Sequence, residues 1–162
     1  MAKAREIPGI DAEVPFREAA ARAVETRTAE LFDLSADVLD TDDIERVHDM
    51  RVATRRLRAV MEIFEPAFGR RAHARALADV KELADALGER RDPDVAIDAL
   101  GKVADALHPN DGPGILSLQD QLRERQGEAN ERLAETLERV KGSALRERLL
   151  VLAAEARGIT VA

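Results

Sequence analysis

The sequence has no cysteine, no tryptophan and no tyrosine, and aromatic residues make up 2% of its 162 positions. Without thiols, neither disulfide bonds nor thiolate chemistry is open to it, which suits a reducing compartment. No apolar run approaches the roughly 20 residues needed to cross a bilayer. The N-terminus lacks the apolar stretch of a signal peptide, so a soluble cytoplasmic protein with no membrane partner is expected. Also missing are a Walker loop, a Cys–His or Ser–His–Asp pattern and a dinucleotide fingerprint. No enzyme is therefore expected, and no cofactor. His48 and Asp49 are adjacent, and neighbours on a helix diverge by about 100°, so they are not expected to form a metal pair.

What is present is charge and small aliphatic side chains. Charged residues reach 35%, and Ala and Leu fill the apolar positions, a composition that reads as all-α. The length allows one domain with a real core. The net charge of −7 argues against a general nucleic-acid binder, which would be basic overall. A focused basic site remains compatible with it, because local clefts concentrate field independently of net charge.

Taken in order, residues 1–14 read as a flexible leader broken by Pro8 and Gly9. Pro15 suits a helix start, and apolar residues then recur at helical spacing to Leu39. Asp40–Asp43 supplies a turn and an acidic helix start. A second helix is expected from Ile44 to Glu65, stopped by Pro66 and Gly69. A third fits Arg71–Leu87, with Leu77, Val80, Leu83, Ala84 and Leu87 inward and Gly88 as C-cap. Arg90–Asp94 reads as a tight connection, Asp92 capping and Pro93 opening a fourth helix that runs to Leu107. His108–Gly114 reads as a linker. A fifth helix, Ile115–Val140, carries only a narrow apolar stripe suited to a partner, and a short sixth runs from Ser143 to Ala156. The expected architecture is an antiparallel four-helix bundle over 15–107, followed by a helical hairpin over 115–162.

The second helix concentrates the chemistry. In VHDMRVATRRLRAVMEIF, Val47 to Phe64, the residues Met50, Ala53, Leu57, Met61 and Phe64 share one arc, the core face. His48, Arg51, Arg55 and Arg58 stand at i, i+3, i+7 and i+10 on the adjoining strip, beyond Thr54. Residues so spaced are helix neighbours, so the strip is a ladder of positive charge. Arg56 points to the far flank. The plain alternative is a solvated face neutralised by acids of a neighbouring helix. Against it stand the choice of Arg, whose planar fork fits phosphate and carboxylate oxygens, and the position of the ladder beside the packing seam. A lone helix histidine is as readily structural as it is a ligand. His73 and His108 are isolated and are expected at the surface.

The ladder, together with KELADALGERRDPDV at Lys81–Val95, resembles the CHAD family, helical domains named for a conserved histidine. The resemblance implies binding of inorganic polyphosphate, association with triphosphate-cleaving enzyme domains and, for some members, collection at polyphosphate granules. It implies a basic groove or pore between helices and nominates His48, Arg51, Arg55, Arg56, Arg58, Lys81 and Arg91. The family usually has two similar halves. Here residues 115–162 resemble the opening of a second half, and no second ladder follows; Arg123, Arg125 and Arg132 are the nearest substitutes, with acids among them. Either a homodimer completes the site or binding is weaker, and of the two the homodimer is the expectation. The competing reading is a helical interaction protein whose ladder pairs with an acidic partner.

Overall fold

In the computed structural model, residues 3–106 and 112–158 are described, and these form five α-helices with no strand among them. The all-α class expected from composition is the class observed. Helix α1 spans Phe16–Asp33, begun by Pro15 in an extended conformation. Helix α2 spans Ile44–Ile63, and the Asp43 carboxylate accepts from the Glu45 amide at 3.2 Å, a side-chain cap on an orphan donor. A single 3₁₀ turn, Glu65–Ala67, holds Pro66 in its first turn, where a missing N–H costs nothing. The remaining helices are α3, Arg70–Ala106, α4, Gly112–Gly142, and α5, Leu145–Ala156. The α4–α5 corner is turned by Ala144, left-handed at φ 51°.

The third and fourth helices expected from sequence are one. Helix α3 runs without interruption through Gly88 and Pro93 for 37 residues. Pro93 removes one intrahelical hydrogen bond, but long-range partners hold the chain helical there. Arg90 is fully buried and donates through Nη1 to the buried Asp94 and through Nε to Asn130 Oδ1 at 3.0 Å. Asn130 in turn donates to the Leu39 carbonyl at 3.0 Å, and Gln126 donates to Asp94 at 2.6 Å. The run RRDPD is thus a bolt between α3, α4 and the α1–α2 connection, not a turn. Of the linker expected at His108–Gly114, residues 108–111 lie outside the described residues, and Gly112, Pro113 and Gly114 already belong to α4.

Helix α3 packs on α2 and α4, while α1 packs on α2 and α5. The core draws on every helix: Ala20, Val24 and Leu31 of α1, Met50, Leu57 and Met61 of α2, Val80, Leu83 and Leu87 of α3, Leu133 and Val140 of α4, and Leu145, Leu149 and Leu152 of α5. Two expectations change. The later part of the stripe on α4 that sequence offered to a partner is covered, at Ala129, Leu133 and Val140, by this chain itself, while Leu116 at its start is exposed. His73 is buried instead of exposed, with Nε2 2.9 Å from the Met61 carbonyl and its ring stacked on Phe68.

Candidate functional site

Helices α2 and α3 lie side by side and antiparallel. Three contacts fix their register: Arg91 Nη1 donates to the Ile44 carbonyl at 2.9 Å, the Arg51 Nε lies 4.0 Å from where a Cβ on Gly88 would stand, and Lys81 Nζ is 3.8 Å from Glu62. The core arc of α2 seats as the periodicity requires, with Met50, Ala53, Leu57 and Met61 buried. Thr54, also buried, turns its hydroxyl back to the Met50 carbonyl at 2.8 Å. Anchoring that arc leaves the adjoining strip facing out along the α2–α3 seam.

The seven nominated residues divide into four groups by partner. Arg51 and Arg55 are exposed and have no ion pair or hydrogen bond among the described residues. Arg58 and Lys81 meet at one carboxylate, Glu62, at 2.9 and 3.8 Å. The Arg58 hydrogen bond is the main reason the Glu62 carboxyl lies below its ordinary pKa. His48 stands half-buried one turn before Arg51 on the same strip.

Arg56 and Arg91 are engaged elsewhere. Arg56 reaches across to α1 and donates to the buried Glu30 at 2.8 Å, a carboxylate that Arg27 also grips at 2.5 Å. Arg91 is 16% exposed and closes the end of the seam, bonded to the Ile44 carbonyl and 3.5 Å from Glu45. Spacing brings His48, Arg51, Arg55, Arg58 and Lys81 to one outward face. Arg56 stays on the far flank, and Arg91 serves as a clasp between helices.

The face is open. The apolar recess of about 300 Å³ lies elsewhere, lined by Phe32, Met50, Leu83, Leu137 and Val140. Ala84 and Gly88, half-buried, are the small residues of α3 along the seam, so an elongated anion could approach the guanidinium groups from the side. Sequence reasoning set aside a metal pair at His48–Asp49, yet with Glu45 one turn back the ligand atoms of Glu45, His48 and Asp49 all lie within 4.8 Å of one another. Those three could reach a cation, but Glu45 already faces Arg91.

Sequence reasoning missed a second pattern. Glu82, Asp85, Glu89 and Asp92 of α3 are all exposed and repeat the ladder spacing in acids. Glu82 and Glu89 face α4, pairing with Arg139 at 2.6 Å and Arg132 at 3.0 Å. Asp85 and Asp92 have no ion pair among the described residues. The signal was present in ELADALGERRD, but it was absorbed into a helix end and a turn.

No helix among the described residues is long and apolar enough to cross a membrane. No solved structure matches the chain. Two uncharacterized proteins from separate strains of Mycobacterium tuberculosis are similar to it, at 38% and 37% identity over 68 residues. That stretch is 42% of this chain and 13% of each relative, so the chain spans only a small part of their length. The CHAD domain profile matches residues 22–160, from α1 to beyond α5, and includes every nominated basic residue. CHAD domains are binding domains known in general to take polyphosphate. With its ladder, its second helix and nearly its whole length inside that match, the chain belongs to the CHAD domain family.

Proposed function

We propose that this chain binds inorganic polyphosphate without cleaving it, along the outer face of α2 where it meets α3. Arg51 and Arg55 are the central contacts, with Arg58 and Lys81 extending the track and His48 and Arg91 at its end. Arg56 belongs to the nominated set by motif position and acts through the structure of α2. The observation that carries this reading is the pair of adjacent guanidinium groups, Arg51 and Arg55, without an ion pair among the described residues, in a chain of net charge −7. Polyphosphate offers an oxyanion at every unit of a flexible rod. A helical turn of about 5.4 Å lets successive ladder residues meet successive or alternate phosphates. Binding by charge-assisted hydrogen bonds and counterion release follows.

In this reading a triphosphate-cleaving enzyme domain and a second copy of the chain are protein partners, and polyphosphate granules are the place of action. The test is titration with long-chain polyphosphate at two salt concentrations, beside an Arg51→Glu/Arg55→Glu variant shown to be folded by circular dichroism. Loss of two charge-assisted contacts of about 1.5 kcal/mol each weakens binding roughly 100-fold. Equal binding by the variant would overturn the assignment.

The openness of the face favours one competing reading, an acidic protein segment laid on the ladder. Affinity that rises with polyphosphate length, with no binding of an acidic peptide of equal charge, selects polyphosphate. The reverse selects the protein partner.

A further inference from the structure

The acidic row on α3 is the mirror of the basic row on α2. Read in opposite chain directions, as antiparallel helices must be, the rows match position for position: His48 with Asp92, Arg51 with Glu89, Arg55 with Asp85, and Arg58 with Glu82. The three contacts that fix the α2–α3 register put these pairs at common heights along the seam. Within one molecule the opposed rows do not join. At 100° per residue, Asp85 and Asp92 stand about 40–60° further round α3 than Gly88, which faces Arg51. Glu82 and Glu89 turn further still, to Arg139 and Arg132. Two basic groups, Arg51 and Arg55, and two acidic groups, Asp85 and Asp92, are consequently left without ion pairs among the described residues, on one exposed face.

We infer that this face pairs with a second copy of itself, the basic row of each copy on the acidic row of the other. A two-fold axis parallel to the helices and standing outside the face, over the seam, lays α2 of one copy over α3 of the next. It keeps the antiparallel direction and the matched heights, and every contact occurs twice, as an isologous interface requires. Ala84 and Gly88 give the incoming arginines room beside the acidic row. The partner is fixed by charge order: a uniformly acidic surface would satisfy α2 and repel Asp85 and Asp92, whereas a second copy sets Arg55 on Asp85 and Arg51 on Glu89, which Arg132 also holds, and leaves Asp92 beside His48.

Resting on the polyphosphate reading, the inference adds regulation, because the self-contact covers Arg51 and Arg55. Pairing and polyanion binding exclude each other, and the polymer separates the dimer. Built from exposed ion pairs, the dimer is weak and salt-sensitive, held at low ionic strength and lost as the screening length falls to about 10 Å near 0.1 M salt.

The test is a charge swap followed by sedimentation velocity at low salt. Wild-type chain is expected as a monomer–dimer equilibrium that added salt, or short-chain polyphosphate, shifts to monomer. Asp85→Arg and Arg55→Asp each place like charges opposite one another in a homodimer, so each alone is monomeric. Mixed, they restore both pairs and form a heterodimer. Wild-type protein that stays monomeric at low salt and millimolar concentration, or a mixture that fails to pair where the wild type does, overturns the inference, as does a dimer that persists when polyphosphate is bound. Polyphosphate titration of the Asp85→Arg variant separates this failure from failure of the functional reading, since that variant keeps the whole basic row. It binds if the polyphosphate reading holds, whatever its oligomeric state.

Discussion

Among the described residues Arg55 has no ion pair, whereas Arg58, one turn along, shares Glu62 with Lys81. Their availability to a ligand differs for that reason, and Glu62 sets the difference. Its carboxyl titrates below the ordinary range because Arg58, then Lys81, favour the charged form. The sign follows: a depressed carboxylate contributes its ion pairs at neutral pH and loses them only as pH falls through the lowered value. Below that point Arg58 and Lys81 are released, so polyphosphate binding tightens there. Glu62→Gln reproduces the release at neutral pH, with affinity expected to rise about 2- to 5-fold, the worth of an exposed ion pair, in a titration at constant salt. Arg56→Gln has the opposite profile. It removes one of two cations from the buried Glu30 and costs roughly 1–3 kcal/mol in denaturant unfolding, while polyphosphate affinity stays at the wild-type level. Local spacing revealed that Arg51, Arg55 and Arg58 share a strip. It could not reveal what occupies Arg56 or Arg91, because their partners lie 26 and 47 residues away in the chain.

At the scale of the helix, α3 shows local signals yielding to tertiary ones. Gly88 and the RRDPD run carry the residue types of a helix end, and the chain passes through both. The deciding group is Arg90, with a fully buried side chain held by Asp94 and Asn130, Gln126 in turn donating to Asp94. No pattern within the run announces that an arginine there points inward, so the continuous helix was not legible, although Leu83 and Leu87 were legible as core from their period. Replacing Arg90 by Ala leaves Asp94 buried without its cation, a loss of about 3–5 kcal/mol. Arg90→Leu/Asp94→Leu together removes both charges and is expected near wild-type stability. Urea unfolding of the two variants reads the contrast. Were the single and double variants equally destabilised, lost packing and not the orphaned charge would be the cause. Pro93→Ala restores the missing backbone donor in a helix that already exists, and is expected to stabilise by about 1–3 kcal/mol in the same experiment.

Over the whole molecule, an excess of acid surrounds a narrow basic strip. The total is −7, yet no acid interrupts the run from Arg51 to Arg58. Long-range attraction is therefore weak or absent, and affinity must come from close contact. Contact binding to a phosphate polymer releases condensed counterions in proportion to the cations engaged. Logarithmic affinity then falls with logarithmic salt at a slope of about −0.7 for each contact on a single-stranded chain. Arg51 and Arg55, with Arg58 and Lys81 sharing the one charge of Glu62, give a net of about three contacts, hence a slope of about −2. Arg51→Gln should reduce its magnitude by somewhat less than one, whereas Arg56→Gln should leave it unchanged because Glu30 already neutralises that cation. Fluorescence titration of labelled polyphosphate across a salt series measures each slope directly. A wild-type slope near zero would mean that the strip does not meet the polymer, and an Arg56→Gln slope reduced as far as that of Arg51→Gln would mean that the far flank of α2 meets it as well. The acidic surround then acts on selection more than on strength. A rigid duplex needs a broad basic surface to neutralise it, and here its charge would press against Asp85, Asp92 and their neighbours. A single flexible phosphate chain can follow the strip and keep clear of them.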